Sequence, residues 1–512
     1  MRTRRAGLVS FGAPMGIVAR QATWITLLTT MGMVMGFVNM ALLFPRWLSA
    51  DEFGFTRLVV SIAVVAAQVA QFGGETTIIR YFPYFRDKAN GHRGLLGLAL
   101  AVGTVGALLA LVILGLFHDR IADWFDDQSG LYASHGLVVL PLVLAEVYFI
   151  LFRGISRSVH RSIAPVFARE FLLRLLQTGL IALQMVRPMP FTTFLLLYVL
   201  TFVLTTFVLF FDLWRADELV LGFGRMRVPR RMGRSMARYS LLTFGSGLAS
   251  IAVGNIDQVM VGAMLHDGLA YVAYYAVATF LASLIMLPTR ALMQPTGPIL
   301  ADAWRKRDHA RIEHIYHRTA SIQLVAGGFI FLCLWSCLDP LFSFLRPEYG
   351  LAKPALIILG ITNVFSLSAG LSASIVTTSR SYWFDAVSGF ALLVLNVLFD
   401  YLFILAFGFI GAAWSSMASL VIVVGGRLLF LKRRYGLWPY DGMTLRALAV
   451  IGAVAALVWF LPHVGPPVVD MAWRCAVITA AFWSLVHWTG TTPEIRDQFK
   501  KLLHRISPVT AR

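Results

Sequence analysis

A handful of charged and amide side chains fall inside stretches that are otherwise apolar, and they are the residues with chemistry to offer. Arg80, Arg169, Arg174 and Arg290 carry planar guanidinium forks, which suit the oxygens of a phosphate because each fork donates two charge-assisted hydrogen bonds. Asp257 and Asp400, with Asn255 and Asn396 near them in the chain, are hard oxygen donors suited to a proton or Na⁺. An ionisable group at bilayer depth costs roughly 3 kcal/mol or more, so each is expected to face a partner or a cavity. Glu75, Glu146 and Glu170 lie in the same apolar stretches.

The elements that position these groups are read from hydropathy. The 512-residue chain is 58% hydrophobic and 14% charged, with a mean hydropathy of +0.73, more apolar surface than a soluble core can bury. A helical span needs about 20 apolar residues. Fourteen such stretches follow one another, at 22–44, 58–79, 95–117, 135–153, 164–186, 191–213, 240–264, 270–294, 320–344, 354–377, 384–406, 411–431, 446–462 and 471–489. They are numbered spans 1 to 14 below. Their apolar runs are continuous, whereas lipid-facing β-strands alternate with period two, so an all-α polytopic membrane protein is expected.

Most of the 44 Lys and Arg residues fall in alternate gaps between spans, on the side that also holds both termini. The positive-inside rule makes that side cytoplasmic. The formal net charge of +18 is read as this topology signal, reinforced by attraction to anionic membrane lipid, rather than as nucleic-acid binding. Span 1 lacks a small-residue cleavage site and is expected to be retained.

Two clusters invite a metal, and neither is expected to hold one. His309, His314 and His317 lie in a basic segment from Trp304 to Arg318, read as an interfacial helix whose arginines repel a cation. Cys333 and Cys337 share one helical face in span 9 and are expected to pack as small apolar groups, with Cys475 in span 14. No Gly-rich phosphate loop ending in Lys-Ser or Lys-Thr occurs, and the longest non-cytoplasmic connection runs only from His118 to His135. No catalytic residue and no cofactor are expected, and an enzyme with a large external acceptor domain is disfavoured.

Spans 1 to 6 and 7 to 12 run in step, and spans 2 and 8 each lead into a basic amphipathic segment, as in duplicated transporters. The expected domains are 1–230, 231–440 and, for the two extra helices and the cytoplasmic tail, 441–512. Four motifs carry a family likeness. Leu48-Ser49-Ala50-Asp51-Glu52-Phe53-Gly54 follows span 1, and span 2 ends in Phe72-Gly73-Gly74-Glu75-Thr76-Thr77-Ile78-Ile79-Arg80-Tyr81. Span 7 contains Asn255-Ile256-Asp257-Gln258-Val259-Met260-Val261-Gly262, and spans 11 and 12 meet at Phe407-Gly408-Phe409-Ile410-Gly411-Ala412-Ala413-Trp414. Over roughly residues 20–435 the chain resembles the oligosaccharide flippase, or polysaccharide transporter, family of the multidrug/oligosaccharidyl-lipid/polysaccharide exporter superfamily. Where that family has Gly-x-Tyr, this chain has Val272-Ala273-Tyr274.

The resemblance implies a flippase of the bacterial inner membrane that moves an oligosaccharide on a polyprenyl diphosphate to the outer leaflet, for surface polysaccharide assembly. Two six-helix bundles would enclose a cationic cavity and work by alternating access, with the polysaccharide polymerase machinery as a further partner. Arg290, Arg80, Arg174 and Arg169 would hold the diphosphate; Asp257, Asp400, Asn255 and Asn396 would couple an ion. Spans 13 and 14, also present in lipid II flippases, would line a groove for the lipid tail or mediate assembly. A multidrug exporter of the same superfamily and a membrane glycosyltransferase or polymerase are the alternatives.

Overall fold

The computed structural model describes residues 12–125, 130–220, 229–252 and 254–490. Every regular element among them is helical, as uninterrupted apolar sequence in lipid requires, because only a helix satisfies its own backbone within one segment. Among the described residues, twelve helices are long and apolar enough to cross a membrane, so the protein is a multi-pass membrane protein.

The two expected spans missing from that set, 5 and 7, are helical but interrupted, span 5 by its charge and span 7 by a backbone break. Span 5 is built from Ile163–Val166, a π-helical turn at Phe167–Leu172 and Leu173–Val186, and it carries Arg169, Glu170 and Arg174. Span 7 divides into Arg230–Ala252 and Ile256–Met264, with Gly254 at φ 84° beside the break.

Span 8 is longer than its apolar run. Helix Gly268–Ser283 passes through a 3₁₀ turn at Leu284–Met286, just before Pro288, and continues as Leu287–Lys306. Proline at the first turn of a helix forfeits no intrahelical bond, so the element bends there without ending. The basic segment from Trp304 to Arg318 is not one interfacial helix. Arg307 turns the chain with a φ of 57°, and Asp308 caps a new helix, His309–Ser336, by accepting from the Arg311 amide. Spans 11 and 12 form a helical hairpin, Trp383–Phe407 and Phe409–Tyr435, hinged at Gly408; a φ of 62° with ψ −149° there is a conformation that only glycine adopts easily.

The chain forms two compact units: Met1–Trp47, Ala63–Ile121 and His135–Phe244 make the first, and Leu48–Ile62, Ala122–Ser134 and Gly245–Arg512 the second. Spans 13 and 14 belong to the second, where Val450, Val454, Ile478 and Phe482 pack on Leu324, Val325 and Leu332 of span 9. Cys337 and Cys475 meet there with sulfurs 3.6 Å apart.

Candidate functional site

In the first unit, charge is brought to membrane depth by two π-helical turns. One is at Val38–Leu43 in span 1, the other at Phe167–Leu172 in span 5. Such bulges widen a helix by one residue, free local backbone groups and often mark functional sites. Asn39, fully buried in the first bulge, donates to the Arg174 carbonyl at 2.9 Å and accepts from the Thr178 hydroxyl at 2.8 Å. Gly32 allows the close approach of these spans: a Cβ there would lie 2.0 Å from the Glu170 carbonyl oxygen. Gly32→Ala should therefore force the helices apart and cost about 1–3 kcal/mol, read as a lowered melting temperature in detergent; an unchanged melting temperature would contradict this packing.

Around that contact, carboxylates and guanidiniums alternate. Arg169 bridges Glu146 at 2.6 Å and lies over the Phe149 and Phe202 rings, 5.2 Å from each centroid, a cation–π arrangement that holds the planar group in an apolar setting. Arg174 pairs with Glu170 at 3.0 Å, one helical turn before it. Glu75 receives Arg153 through both oxygens at 2.7 Å, and Arg157 approaches it at 3.4 Å. Arg153, Arg157, Arg169 and Arg174 thus stand against Glu75, Glu146 and Glu170, and the group is cationic by one charge. Arg80 is not part of it: exposed in the middle of helix Gly74–Phe85, it lies over the Tyr239 ring at 4.3 Å. The Arg290 side chain lies outside the described residues.

The second unit holds the opposite charge. Asp257 sits seven residues before the end of Ile256–Met264 and Tyr275 seven after the start of Gly268–Ser283. Asp400 lies seven residues before the end of Trp383–Phe407 and Ser416 seven after the start of Phe409–Tyr435. At about 1.5 Å per residue, all four lie roughly 10 Å from the arginine-poor ends of their helices. The Tyr275 hydroxyl donates to Asp257 Oδ2 at 2.5 Å and Ser416 Oγ donates to the same oxygen at 2.7 Å. Asp257, Asp400 and Asn396 are 1%, 0% and 0% exposed. Asp257 Oδ1, both Asp400 oxygens and both amide atoms of Asn396 have no hydrogen-bond partner among the described residues. The helices that carry Asp257 and Asp400, Ile256–Met264 and Trp383–Phe407, pack against each other and bring the two carboxyls into electrostatic contact. Two buried carboxylates this close are stable only if they share a proton or a cation, and the free oxygens form a donor set for either.

The description "Polysaccharide biosynthesis protein" belongs to a family model that matches residues 18–304, more than half of the chain. The chain belongs to that family. A second model, MatE, matches residues 243–402. In fold the chain is similar to the lipid II flippase MurJ in an inward closed conformation, with a TM-score of 0.67 at 11% identity, over 91% of this chain and 99% of that one. It is also similar to an inward-facing multidrug resistance MATE family transporter of the MOP superfamily, with a TM-score of 0.61 at 15% identity over 80% and 94%. A single-site mutant of the Vibrio cholerae MATE transporter VcmN gives a TM-score of 0.57 at 13% identity over 82% and 97%. No curated protein matches.

Within this family fold, Asp257, Asp400 and Asn396 come together as one group. Asn255 does not join them: its amide donates to the Ile251 carbonyl at 2.7 Å, one turn back along its own span, because the break at Gly254 redirects it. Arg169 and Arg174 meet at the bulge, each already facing a carboxylate. Sequence reading missed Tyr275 and Ser416, whose only signal was their depth. It also missed two arginines that a loop-charge tally hides. Arg427 is a half-buried group of span 12, 3.4 Å from Asp385 Oδ1 and 3.3 Å from Ser388 Oγ. Arg474 is buried in span 14 on Asp470, four residues earlier, at 3.0 Å, a spacing that the sequence did display.

Proposed function

We propose that this protein is a flippase for an oligosaccharide carried on a polyprenyl diphosphate, moving it from the cytoplasmic to the outer leaflet of a bacterial inner membrane for surface polysaccharide assembly. Both termini are cytoplasmic in this reading, and the polymerase that consumes the product is a natural partner. The observation that carries it is the surplus of guanidinium over carboxylate in the membrane-spanning part of the first unit. Arg169 and Arg174 hold the diphosphate by exchanging part of their contact with Glu146 and Glu170 for phosphate oxygens, which an Arg fork does readily. Arg80 receives the head group from the cytoplasmic side, and Arg290 is retained in this set on sequence grounds. Asp257 and Asp400, with Asn396, bind the proton or Na⁺ whose gradient drives return of the carrier, while Asn255 acts as a helix-break residue.

The test is reconstitution. Purified protein in liposomes should transfer a labelled lipid-linked oligosaccharide to the face where an impermeant reagent modifies it, without altering its mass. A changed glycan mass would make the protein an enzyme. Transport of cationic drugs without movement of the lipid would make it an exporter, the reading that the MatE match over residues 243–402 favours. Arg169→Lys keeps the charge opposite Glu146 but loses the fork, and transfer should fall about tenfold, the worth of one charge-assisted hydrogen bond; an undiminished rate would remove Arg169 from the site.

A further inference from the structure

A cavity of about 640 Å³ opens in the first unit at the arginine-rich ends of spans 1, 5 and 6, lined by none of the ion-paired residues described above and within the size range of small-ligand sites. Its wall is apolar, formed by Ile163, Phe167, Val208, Leu209 and Phe211, and its rim is polar, formed by Gln21, His160, Arg161, Asp212 and Arg215. The rim is fixed in place. Gln21 Nε2 donates to the His160 carbonyl at 3.2 Å, tying span 1 to the turn between spans 4 and 5, where His160 holds a φ of 64°. Arg161 donates through Nε and Nη2 to the two Asp212 oxygens, at 2.9 and 2.5 Å.

That clamp cancels one charge on each side and orients the guanidinium with Nη1 left over. Arg215 and the His160 ring, both exposed, have no hydrogen bond, ion pair or ring contact among the described residues. The rim therefore offers about one net positive charge. Trp214, 60% exposed with its ring tilted against Phe211 at 5.7 Å, sits where interfacial aromatics sit, at headgroup level. From Arg215 to Val208 is seven residues, roughly 10 Å down the helix, so a ligand bound at the rim would lie with its apolar part in the hydrocarbon.

We propose that this cavity binds an anionic glycerophospholipid of the leaflet on the arginine-rich side. The single phosphate is received by Arg215, His160 and the free edge of Arg161, and one acyl chain runs along Phe167, Val208 and Phe211. Basic pockets between spans on this side of a membrane recognise anionic head groups in this way. A soluble phosphate would leave the apolar wall wet.

Full-length protein in detergent, titrated with phosphatidylglycerol and read by native mass spectrometry, should retain one lipid in preference to phosphatidylcholine. Arg215→Ala should weaken that adduct about fivefold, the worth of one basic residue near a head group. Val208→Trp, at a surface position 37% exposed, should fill the wall and remove the adduct while leaving Arg215 in place. Inorganic phosphate should not compete. Unchanged retention in both variants, competition by inorganic phosphate, or displacement of phosphatidylglycerol by polyprenyl phosphate would each overturn the assignment, the last by making the cavity part of the substrate path.

Discussion

Asp400→Asn should abolish gradient-driven transport while leaving a folded protein that melts at a higher temperature than the parent. The side chain is fully buried, neither of its oxygens makes a well-formed hydrogen bond among the described residues, and the Asp257 carboxyl lies within electrostatic reach of it. An amide of the same shape removes the repulsion and the need for a bound cation, which favours the fold. It also removes the differential binding by which an ion gradient biases one state over another; coupling free energies of about 1–3 kcal/mol correspond to losses of roughly 5- to 150-fold. The measurement is transfer into liposomes under an imposed Na⁺ or pH gradient, with a thermal melt of the same preparation. Transport at the parental rate would show that the pair is not the coupling site, and a lowered melting temperature would show that its charge is structural. Ser416→Ala, which removes one of the two donors on Asp257, should give a weaker version of the same loss.

Glu75→Ala should have the largest effect on the fold itself. Glu75 receives Arg153 through both of its oxygens and Arg157 through one. Its removal leaves two guanidiniums without their carboxylate at membrane depth. Breaking this half-buried cluster leaves charge without its partner and costs about 1–3 kcal/mol, enough to lower the yield of folded protein in the membrane. Glu75→Gln should fall between the two, and adding Arg153→Met to Glu75→Ala should restore much of the yield, because the charge left unpaired is the source of the cost. Yield and melting temperature of the three variants decide the matter; full stability of Glu75→Ala would mean that water already screens the pair.

The membrane fold was legible because hydropathy acts on whole segments: a run such as 191–213 has no other stable environment. The two spans that depart from a simple helix, 5 and 7, are those where charge or a backbone break competes with that tendency. The break at Gly254 has no hydropathy signature, and it moved Asn255 out of the site that sequence had assigned it. Asp257 and Asp400 could be placed at equal depth by counting residues along their spans. Tyr275 could not, since a tyrosine in an apolar helix is ordinary until its hydroxyl is seen on Asp257. Partners across the fold, such as Glu146 for Arg169 and Arg153 for Glu75, depend on tertiary packing that spacing along the chain does not encode. Arg427 and Arg474 show the converse error: a tally of charges by gap assigns them to loops, although helical periodicity carries both inside.

The common offset of Asp257, Tyr275, Asp400 and Ser416 from their helix ends has an electrical consequence. A cation that enters from the arginine-poor face travels roughly 10 Å of a hydrocarbon layer about 30 Å thick before it meets the carboxylates. It therefore crosses about a third of the voltage drop, and 100 mV alters its occupancy by less than about 1 kcal/mol. In the proposed coupling role, loading of the pair would be governed by concentration on that face, and the membrane voltage would act mainly on the proposed charged cargo.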